Sequence, residues 1–329
     1  MNTKNPEDIA DPTETRVEDD AAFPNLADFL TPGQQRLMDA AVTIATEPPD
    51  DINYQHSILC QVGLPRSKVK ATTFERRSQT AILSVEAGKL FDGKDLVQQF
   101  VPYGPKARLA LGYIHTTTIR TKSPIIDIGV STREFLSLIG LKSDDGRTYK
   151  LVRQQLMALA ACRFTLGYFG QSGAPSTLNT VPVKRFELWT HDDVEGQRSI
   201  WPGVIELRDD YYNDLIQHGV PYDPRAYAAL AHSALSQDVY LMLCYRLHKL
   251  NAKGLKVTWK QWQEQFGHEY SGADSLRNFK DRFIPAVKDA LSVYPDANVE
   301  IVTGGLMLKK SKPAVSKIIG GSCHPPPLE

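Results

Sequence analysis

Four polar side chains near the C-terminal end of the chain have the chemistry that binding to duplex DNA requires. They are Arg277, Asn278, Lys280 and Arg282. Guanidinium and ammonium groups bind phosphate oxygens, and Arg and Asn also hydrogen-bond to base edges in the major groove. On a helix, Arg277 and Asn278 would share the outward side with Asp281 and Lys288, and Lys280 and Arg282 would flank it. We therefore predict a DNA-contacting helix, against the plainer alternative of a solvated surface helix.

Apolar residues in the same segment define the helix that must position these groups. Five of them recur at helical spacing: Leu276, Phe279, Phe283, Val287 and Ala290. This pattern predicts a helix from Ala273 to Ser292 with one side packed on a core. Pro285 removes one helical hydrogen bond, so a kink or a restart is expected there.

The neighbouring segments predict a winged helix-turn-helix around this helix. A short strand, a helix opened by Thr258 and a turn come before it, and a hairpin of residues 298–302 and 306–310 follows. A Gly-Gly pair between the two strands is a good hairpin signal, because glycine adopts positive φ at little cost. Lys309 and Lys310 of this hairpin are expected to touch the DNA backbone as a wing.

The same order of elements is predicted once more, earlier in the chain. A helix from Gly104, a short strand and a capped helix from Ser131 come before a helix at 147–161, and two strands follow. The last helix turns Arg147, Lys150 and Gln154 outward as a second candidate DNA-reading face. Residues 79–85 and 96–101 are predicted to pair as strands across a Gly-Lys-Asp turn.

The distribution of charge supports a partner that carries phosphates. The formal net charge is zero, but residues 1–53 hold three basic and twelve acidic residues, and the remainder holds 35 basic and 26 acidic. An acidic arm thus precedes a basic body. The predicted fold is α+β, with tandem winged helix-turn-helix domains at 54–195 and 196–315. The arm at 1–53 is expected to be largely disordered, with a short helix from Thr31 to about Ala45, and the tail at 316–329 is expected to be disordered.

Several classes of protein are disfavoured by what the sequence lacks. No stretch has the ~20 apolar residues of a membrane helix, and the N-terminus is unlike a signal peptide. Four dispersed cysteines indicate neither a zinc framework nor a disulfide scaffold, so we expect a cytoplasmic protein. No phosphate-binding loop is present, and no two histidines are separated by one residue. Cys244 and His248 are interpreted as packing residues. We therefore expect no enzymatic activity, no cofactor and no metal.

Many short runs, agreeing in order over residues 56 to about 312, resemble the plasmid-encoded RepA replication initiator family. Among them are Leu64-Pro-Arg66, Pro102-Tyr-Gly-Pro-Lys106, Gly146-Arg147-Thr148, Trp201-Pro202, Tyr245-Arg246-Leu247-His248, Gln265-Phe266-Gly267 and Val293-Tyr294-Pro295. Ile284-Pro285-Ala286-Val287 is similar to a Pro-Ala-Val run in the corresponding helix of related iteron-binding initiators. A kink at Pro285 is therefore compatible with a recognition helix.

The resemblance implies an initiator that binds repeated sites, iterons, in double-stranded plasmid origin DNA. Such a protein opens the adjacent duplex and recruits the host replication initiator and the replicative helicase. Many such initiators exchange between a dimer that represses its own promoter and a monomer that binds iterons. Two alternatives stay open. A winged-helix transcriptional repressor would lack origin opening, and a rolling-circle nicking enzyme would form a covalent tyrosine adduct on DNA.

Overall fold

The computed structural model describes residues 30–141, 146–169, 173–188 and 203–315. Within these ranges the protein is a mixed α/β structure of helices and several small antiparallel sheets. Residues 1–29 and 316–329, for which disorder was predicted, lie outside the described residues. No helix in the described ranges is long and apolar enough to span a bilayer.

The predicted helix after the acidic stretch is confirmed and packs on the body. This helix, α1 (Pro32–Thr46), begins at the N-cap Thr31, whose hydroxyl accepts a hydrogen bond from the Gln34 backbone N–H at 3.3 Å. The Gln34 side chain accepts in return from the Thr31 N–H, which completes a capping box. Leu37 is buried, and α1 lies against helices from the C-terminal half of the chain.

In the described ranges, the elements between α1 and the middle of the chain are short strands, eight of them in two runs of four, and four helices. They are β1 (Asn53–His56), α2 (Ser57–Gln61), β2 (Thr73–Arg77), β3 (Ala81–Glu86), β4 (Lys89–Phe91), β5 (Leu96–Gln98), α3 (Gly104–Thr121), β6 (Ile125–Asp127), α4 (Thr132–Leu138), α5 (Gly146–Ala161), β7 (Arg163–Phe169), β8 (Pro175–Thr180), β9 (Val183–Glu187) and β10 (Val204–Leu207).

The remaining elements lead to the C-terminal hairpin. They are α6 (Asp209–His218), β11 (Gly219–Tyr222), α7 (Pro224–Ala229), α8 (Ala234–Arg246), β12 (Leu255–Thr258), α9 (Trp259–Phe266), α10 (Ser275–Ser292), β13 (Val299–Val302) and β14 (Gly305–Leu308). Short 3-10 turns extend α7 and α8. The helix α10 continues through Pro285.

The predicted pairing of residues 79–85 with 96–101 is wrong. The strand β3 lies between β2 and β7 in a four-stranded sheet, with the order β2-β3-β7-β8. Its alternate residues Ala81, Leu83 and Val85 are buried. Pairing with β2 and β7 therefore places one face of β3 in the core. Residues 96–98 form β5, which is exposed and pairs with β4 in a separate hairpin.

Two parts of the chain share one order of elements. In the first, α3, β6, α4 and α5 come before the strands β9 and β10, and the sheet order is β6-β10-β9. In the second, α8, β12, α9 and α10 come before β13 and β14, and the sheet order is β12-β14-β13. The hairpin β7–β8 separates α5 from β9 in the first part only. Both sheets therefore place their last strand in the middle.

Strand pairing assigns residues beyond the predicted boundary at 195/196 to the first part. The strand β10 pairs with β9 and β6, and β11 pairs with β1. A division at 195/196 therefore separates β9 from its own sheet. The buried side chains of both parts form one continuous hydrophobic core.

A buried ion pair joins the two parts. The Arg108 guanidinium of α3 donates two hydrogen bonds to the Asp238 carboxylate of α8, at 2.6 and 2.8 Å, and both side chains are 3% exposed. Arg108 also donates to the backbone carbonyls of Leu64 and Pro65. Arg76 lies 3.6 Å from the same carboxylate. Burial lowers the pKa of Arg76 to about 10. Asp238 is the buried carboxylate that compensates the charges of Arg76 and Arg108.

We predict that Asp238→Asn lowers the free energy of unfolding by about 3–5 kcal/mol, because it leaves buried guanidinium charge uncompensated. Urea denaturation followed by far-UV circular dichroism measures this loss. The control is Asp296→Asn, which breaks an exposed pair with Lys312 and should change stability by less than about 0.5 kcal/mol. Equal effects of the two substitutions would contradict the structural role of the junction.

Candidate nucleic-acid interface

The start of α9 is fixed by its own residues and by the hairpin that follows α10. Thr258 caps α9 in a reciprocal capping box with Gln261, in which the Thr258 N–H donates to Gln261 Oε1 at 2.8 Å. The Trp259 N–H donates to the Gly304 carbonyl at 3.0 Å. Gly304 has a φ of +87°, which glycine adopts without strain. The turn of the hairpin β13–β14 therefore lies beside the N-terminus of α9.

Four aromatic side chains fix α10 against α9. Phe279 and Phe283 of α10 stack with their ring centroids 4.8 Å apart, and Phe283 lies 5.4 Å from Trp262 and 5.6 Å from Phe266 of α9. All four are fully buried. Because the packed rings restrict rotation of α10 about its axis, they determine which of its residues face outward.

The side of α10 opposite these rings carries the predicted DNA-contacting residues. Arg277, Asn278 and Arg282 are exposed, as is Lys288. Lys280 is half-buried, and its ammonium lies 5.7 Å from the centroid of the Trp259 ring. We call the cations Arg277, Lys280, Arg282 and Lys288 the α10 basic face. None of them forms an ion pair with a residue in the described ranges.

Leu276 was predicted to belong to the buried side of this helix, and that prediction is wrong. Its side chain is 38% exposed. Leu276 is the second residue of α10, one turn before the first buried ring, where no facing element covers it. The other apolar positions of the predicted pattern are buried at Phe279, Phe283, Val287 and Ala290.

The structure places Lys309 and Lys310 away from the hairpin turn. Both follow β14, and the Lys309 backbone N–H donates to the Asn298 carbonyl just before β13. They therefore lie at the end of the sheet opposite Thr303 and Gly304. The Lys309 ammonium pairs with Glu300 at 2.5 Å, and Lys310 is exposed. The predicted strand 306–310 included both lysines, whereas β14 ends at Leu308, and their contact with DNA stays a prediction.

A lysine that was not predicted lies closer to the turn. Lys256 is exposed on β12, and a Cβ built on Gly304 would lie 3.9 Å from its ammonium. The sequence signal was its place two residues before the Thr258 cap. Its proximity to the turn depends on the pairing of β12 with β14, which sequence spacing did not show.

The second predicted set lies together on α5. Arg147, Lys150 and Gln154 are exposed, and the opposite side of the helix buries Val152 and Leu156 in the core. This helix packs against α3 and α4. The structure therefore brings the predicted residues together on two separate helices, α5 and α10.

Within the described ranges, one group of side chains has the composition of a metal site. His56, Asp214 and His218 bring their ligand atoms within 4.8 Å of one another. However, His56 Nδ1 accepts a hydrogen bond from the Ile58 N–H at 3.2 Å, and its Nε2 lies 2.6 Å from Asp214 Oδ2. This pattern requires a neutral ring with the proton on Nε2, so that nitrogen has no lone pair for a metal. The group is better explained as a buried polar network.

A second buried histidine extends this network. His115 Nδ1 faces the Gln55 amide oxygen, and its Nε2 lies 2.7 Å from the Tyr211 hydroxyl. Burial lowers the pKa of His56 and lowers that of His115 further below the ordinary value. Cys244 and His248, interpreted from the sequence as packing residues, make local contacts. The Cys244 thiol is buried, and the backbone carbonyl of Cys244 lies 2.9 Å from His248 Nδ1.

Residues 101–261 match the family model described as "Plasmid encoded RepA protein". The resemblance to plasmid RepA proteins is confirmed over this segment. The RepA-matched segment runs from just before α3 into α9, and it includes α5 and the Arg108–Asp238 pair. It ends before α10.

Two solved structures are also similar to the chain. One is a crystal structure of selenomethionine derivatives of domain 2 and domain 3 of RctB, and the other is a crystal structure of RctB domains 2–3. Each is 12% identical with a TM-score of 0.47. They cover 79% and 77% of this chain, and 99% and 96% of their own. No curated protein sequence matches the chain significantly.

We predict that stability falls as the pH is lowered through the range below about 6.5. The unfolded chain protonates its histidines there, while His56 and His115 stay neutral in the fold, so the unfolded state binds more protons. Each contributes up to roughly 1.4 kcal/mol per pH unit until its native pKa is reached. Urea denaturation at pH 7.5, 6 and 5 measures the slope. His115→Gln should reduce the slope while lowering stability at every pH, and a flat profile for the unsubstituted protein would contradict the assignment.

Proposed function

We propose that the protein is a plasmid replication initiator that binds duplex DNA through α10. The observation that carries this proposal is the α10 basic face, which has no ion-pair partner in the described ranges and is held outward by the buried aromatic rings. These four cations form no ion pair in the described ranges and outnumber Asp281, the one exposed carboxylate of α10, so they remain available to phosphates. The RepA match supports the replication role, although it does not include α10 itself.

Both repeated parts act as winged helix-turn-helix units. In the second unit α9 and α10 are the helix pair, and the hairpin β13–β14 is the wing. The turn at Thr303 and Gly304, with Lys256 beside it, is the segment placed to meet the neighbouring DNA backbone. In the first unit α4 and α5 take the corresponding places. Its hairpin β9–β10 includes residues outside the described ranges.

Base readout is assigned to the side chains that suit it chemically. Arg277 and Arg282 are suited to the paired acceptors of guanine, and Asn278 to the donor and acceptor of adenine. Lys280 and Lys288 are suited to phosphates, where binding releases counterions. Arg147, Lys150 and Gln154 of α5 would read a second segment of a repeated site, or this face would form the contact between two copies of the chain.

The proposed mechanism uses binding energy and no catalysis. Contacts to repeated origin sites by two linked units would offset the cost of bending or unstacking an adjacent A·T-rich step. Opening that step would give the host initiator and the replicative helicase access to single strands. The same protein would repress its own promoter when the bound site overlaps it.

We expect Arg277→Ala/Lys280→Ala to weaken preference for repeats upstream of the protein's own gene over scrambled DNA. A direct base contact contributes about 1–3 kcal/mol, and each lost phosphate contact reduces the salt slope by about one. Fluorescence anisotropy over a salt series measures both. Lys309→Ala/Lys310→Ala removes the same number of charges away from the turn and should retain the preference. Arg147→Ala/Lys150→Ala tests α5 in parallel, and loss of preference only in that variant would move base reading to α5.

Origin opening separates the initiator from the repressor. We expect thymines in an A·T-rich flank of the repeats to become reactive to permanganate when the protein binds supercoiled DNA. The double variant Arg277→Ala/Lys280→Ala should lose this reactivity in proportion to its loss of binding. Saturated binding without thymine reactivity would support the repressor instead.

A further inference from the structure

The α10 basic face has no anionic partner in the described ranges, while residues 1–29 of the same chain hold a surplus of acid. Those residues contain eight acidic and two basic side chains. Asp281 is exposed on α10 and forms no ion pair in the described ranges, whereas two other carboxylates next to α10 have partners away from the basic face. Glu269 lies 3.4 Å from Arg66 and 3.6 Å from Arg76, and Asp289 accepts from Ser236 at 2.9 Å. The four cations of the α10 basic face therefore outnumber the one exposed carboxylate of the helix, Asp281.

The acidic segment joins the body beside α10. It leads into the Thr31 cap of α1, and a Cβ built on Gly33 would lie 3.5 Å from the Cβ of His232. His232 Nε2 lies 3.1 Å from the Asp289 carboxylate of α10. An open cleft of about 460 Å³ extends from His232 along α10, and its charged lining consists of the cations Arg66 and Arg282 and the carboxylates Glu269, Asp281 and Asp289.

The helix α1, to which residues 1–29 are joined, lies against α10. The C-terminal end of α1 shares a small cleft with Tyr294 and Pro295, beyond the end of α10. Its N-terminal end lies by His232, which contacts α10 at Asp289. Followed backward along the chain, α1 therefore passes from the end of α10 toward its middle.

We infer that the acidic segment 1–29 docks on the α10 basic face and competes with DNA for it. This inference rests on the proposed function of α10. An extended chain of this length reaches up to ~100 Å, whereas α10 is only ~27 Å long. A tethered segment also acts at an effective concentration in the millimolar range for short flexible linkers. Sequence-specific DNA, which gains base contacts as well as phosphate contacts, displaces the segment more readily than other DNA does.

Carbodiimide coupling of the full chain tests docking directly, because it joins carboxylates to lysine amines only where they touch. We expect peptides from residues 1–29 to be linked to Lys280 or Lys288, and the yield to fall in high salt and with added duplex DNA. Arg277→Ala/Arg282→Ala keeps both lysines but removes two of the four cations, so the yield should fall there too. Links only to lysines elsewhere, or none, would overturn docking on α10.

DNA affinity tests the competition. The first variant changes all eight acids of the segment to amides: Glu7→Gln, Asp8→Asn, Asp11→Asn, Glu14→Gln, Glu18→Gln, Asp19→Asn, Asp20→Asn and Asp28→Asn. A segment that covers the site about nine-tenths of the time raises the apparent Kd about tenfold. We therefore expect this variant to bind scrambled duplex about tenfold more tightly at low salt, with the difference closing at high salt.

The matched control for this experiment is a chain whose residues 1–29 are shuffled. It keeps every charge and should bind as weakly as the unsubstituted protein. Equal affinity of the amide variant and the unsubstituted protein would overturn the competition. Failure of all three proteins to bind DNA would instead refute the proposed function. The coupling experiment reports docking in either case.

Discussion

Packing of Phe279 and Phe283 against Trp262 and Phe266 determines how α10 is presented. Cations on one half of a helix face a partner only when the rotation of that helix about its axis is fixed. The buried rings fix it for α10. The desolvated aromatic surface also supplies a large hydrophobic contribution that exposed lysines and arginines cannot. The position of the basic face, the nearby hairpin turn and the cleft beside α1 all depend on this packing.

The junction between the two parts sets a second constraint. The Arg108–Asp238 pair needs close approach of the segment around Gly63, where a Cβ would lie 2.4 Å from the Asp238 carboxylate. Gln265 of α9 donates to the Gln61 carbonyl across the same boundary at 2.8 Å. Such contacts connect α9, and through it α10, to the first part. Both candidate DNA-reading helices, α5 and α10, therefore belong to one packed body. This arrangement favours contact with two segments of one DNA site at a defined spacing.

Local signals predicted the helices well. The Thr31 and Thr258 caps, and the apolar spacing around Phe279 and Phe283, are properties of neighbouring residues, so the elements they define could be predicted. The outward side of α10 followed from the same periodicity. Leu276 was misplaced because periodicity cannot show where the facing element ends.

Long-range pairing could not be predicted in the same way. The alternating pattern of β3 predicts a strand but does not identify its partners. Those partners are β2 and β7, which meet β3 only in the folded sheet. The membership of β10 in the first part depends on β6, which is distant in sequence. The strand predicted to end at Lys310 ends at Leu308, because local sequence does not show where pairing with β12 and β13 stops. The network of His56, His115 and Asp214 has no spacing pattern at all, since its members meet only in the fold.

The most direct test of the account is DNA cleavage by an iron chelate tethered to α10. The chelate is attached at Asn278→Cys in a chain with Cys323→Ser, because the other three cysteines are buried. Matched attachments at Gln154→Cys and Lys310→Cys report α5 and the far end of the sheet. We predict cleavage within a few base pairs of the repeat from position 278, and none from position 310. Cleavage from position 154 or 310 with none from position 278 would contradict the assignment of α10 as the DNA-reading helix.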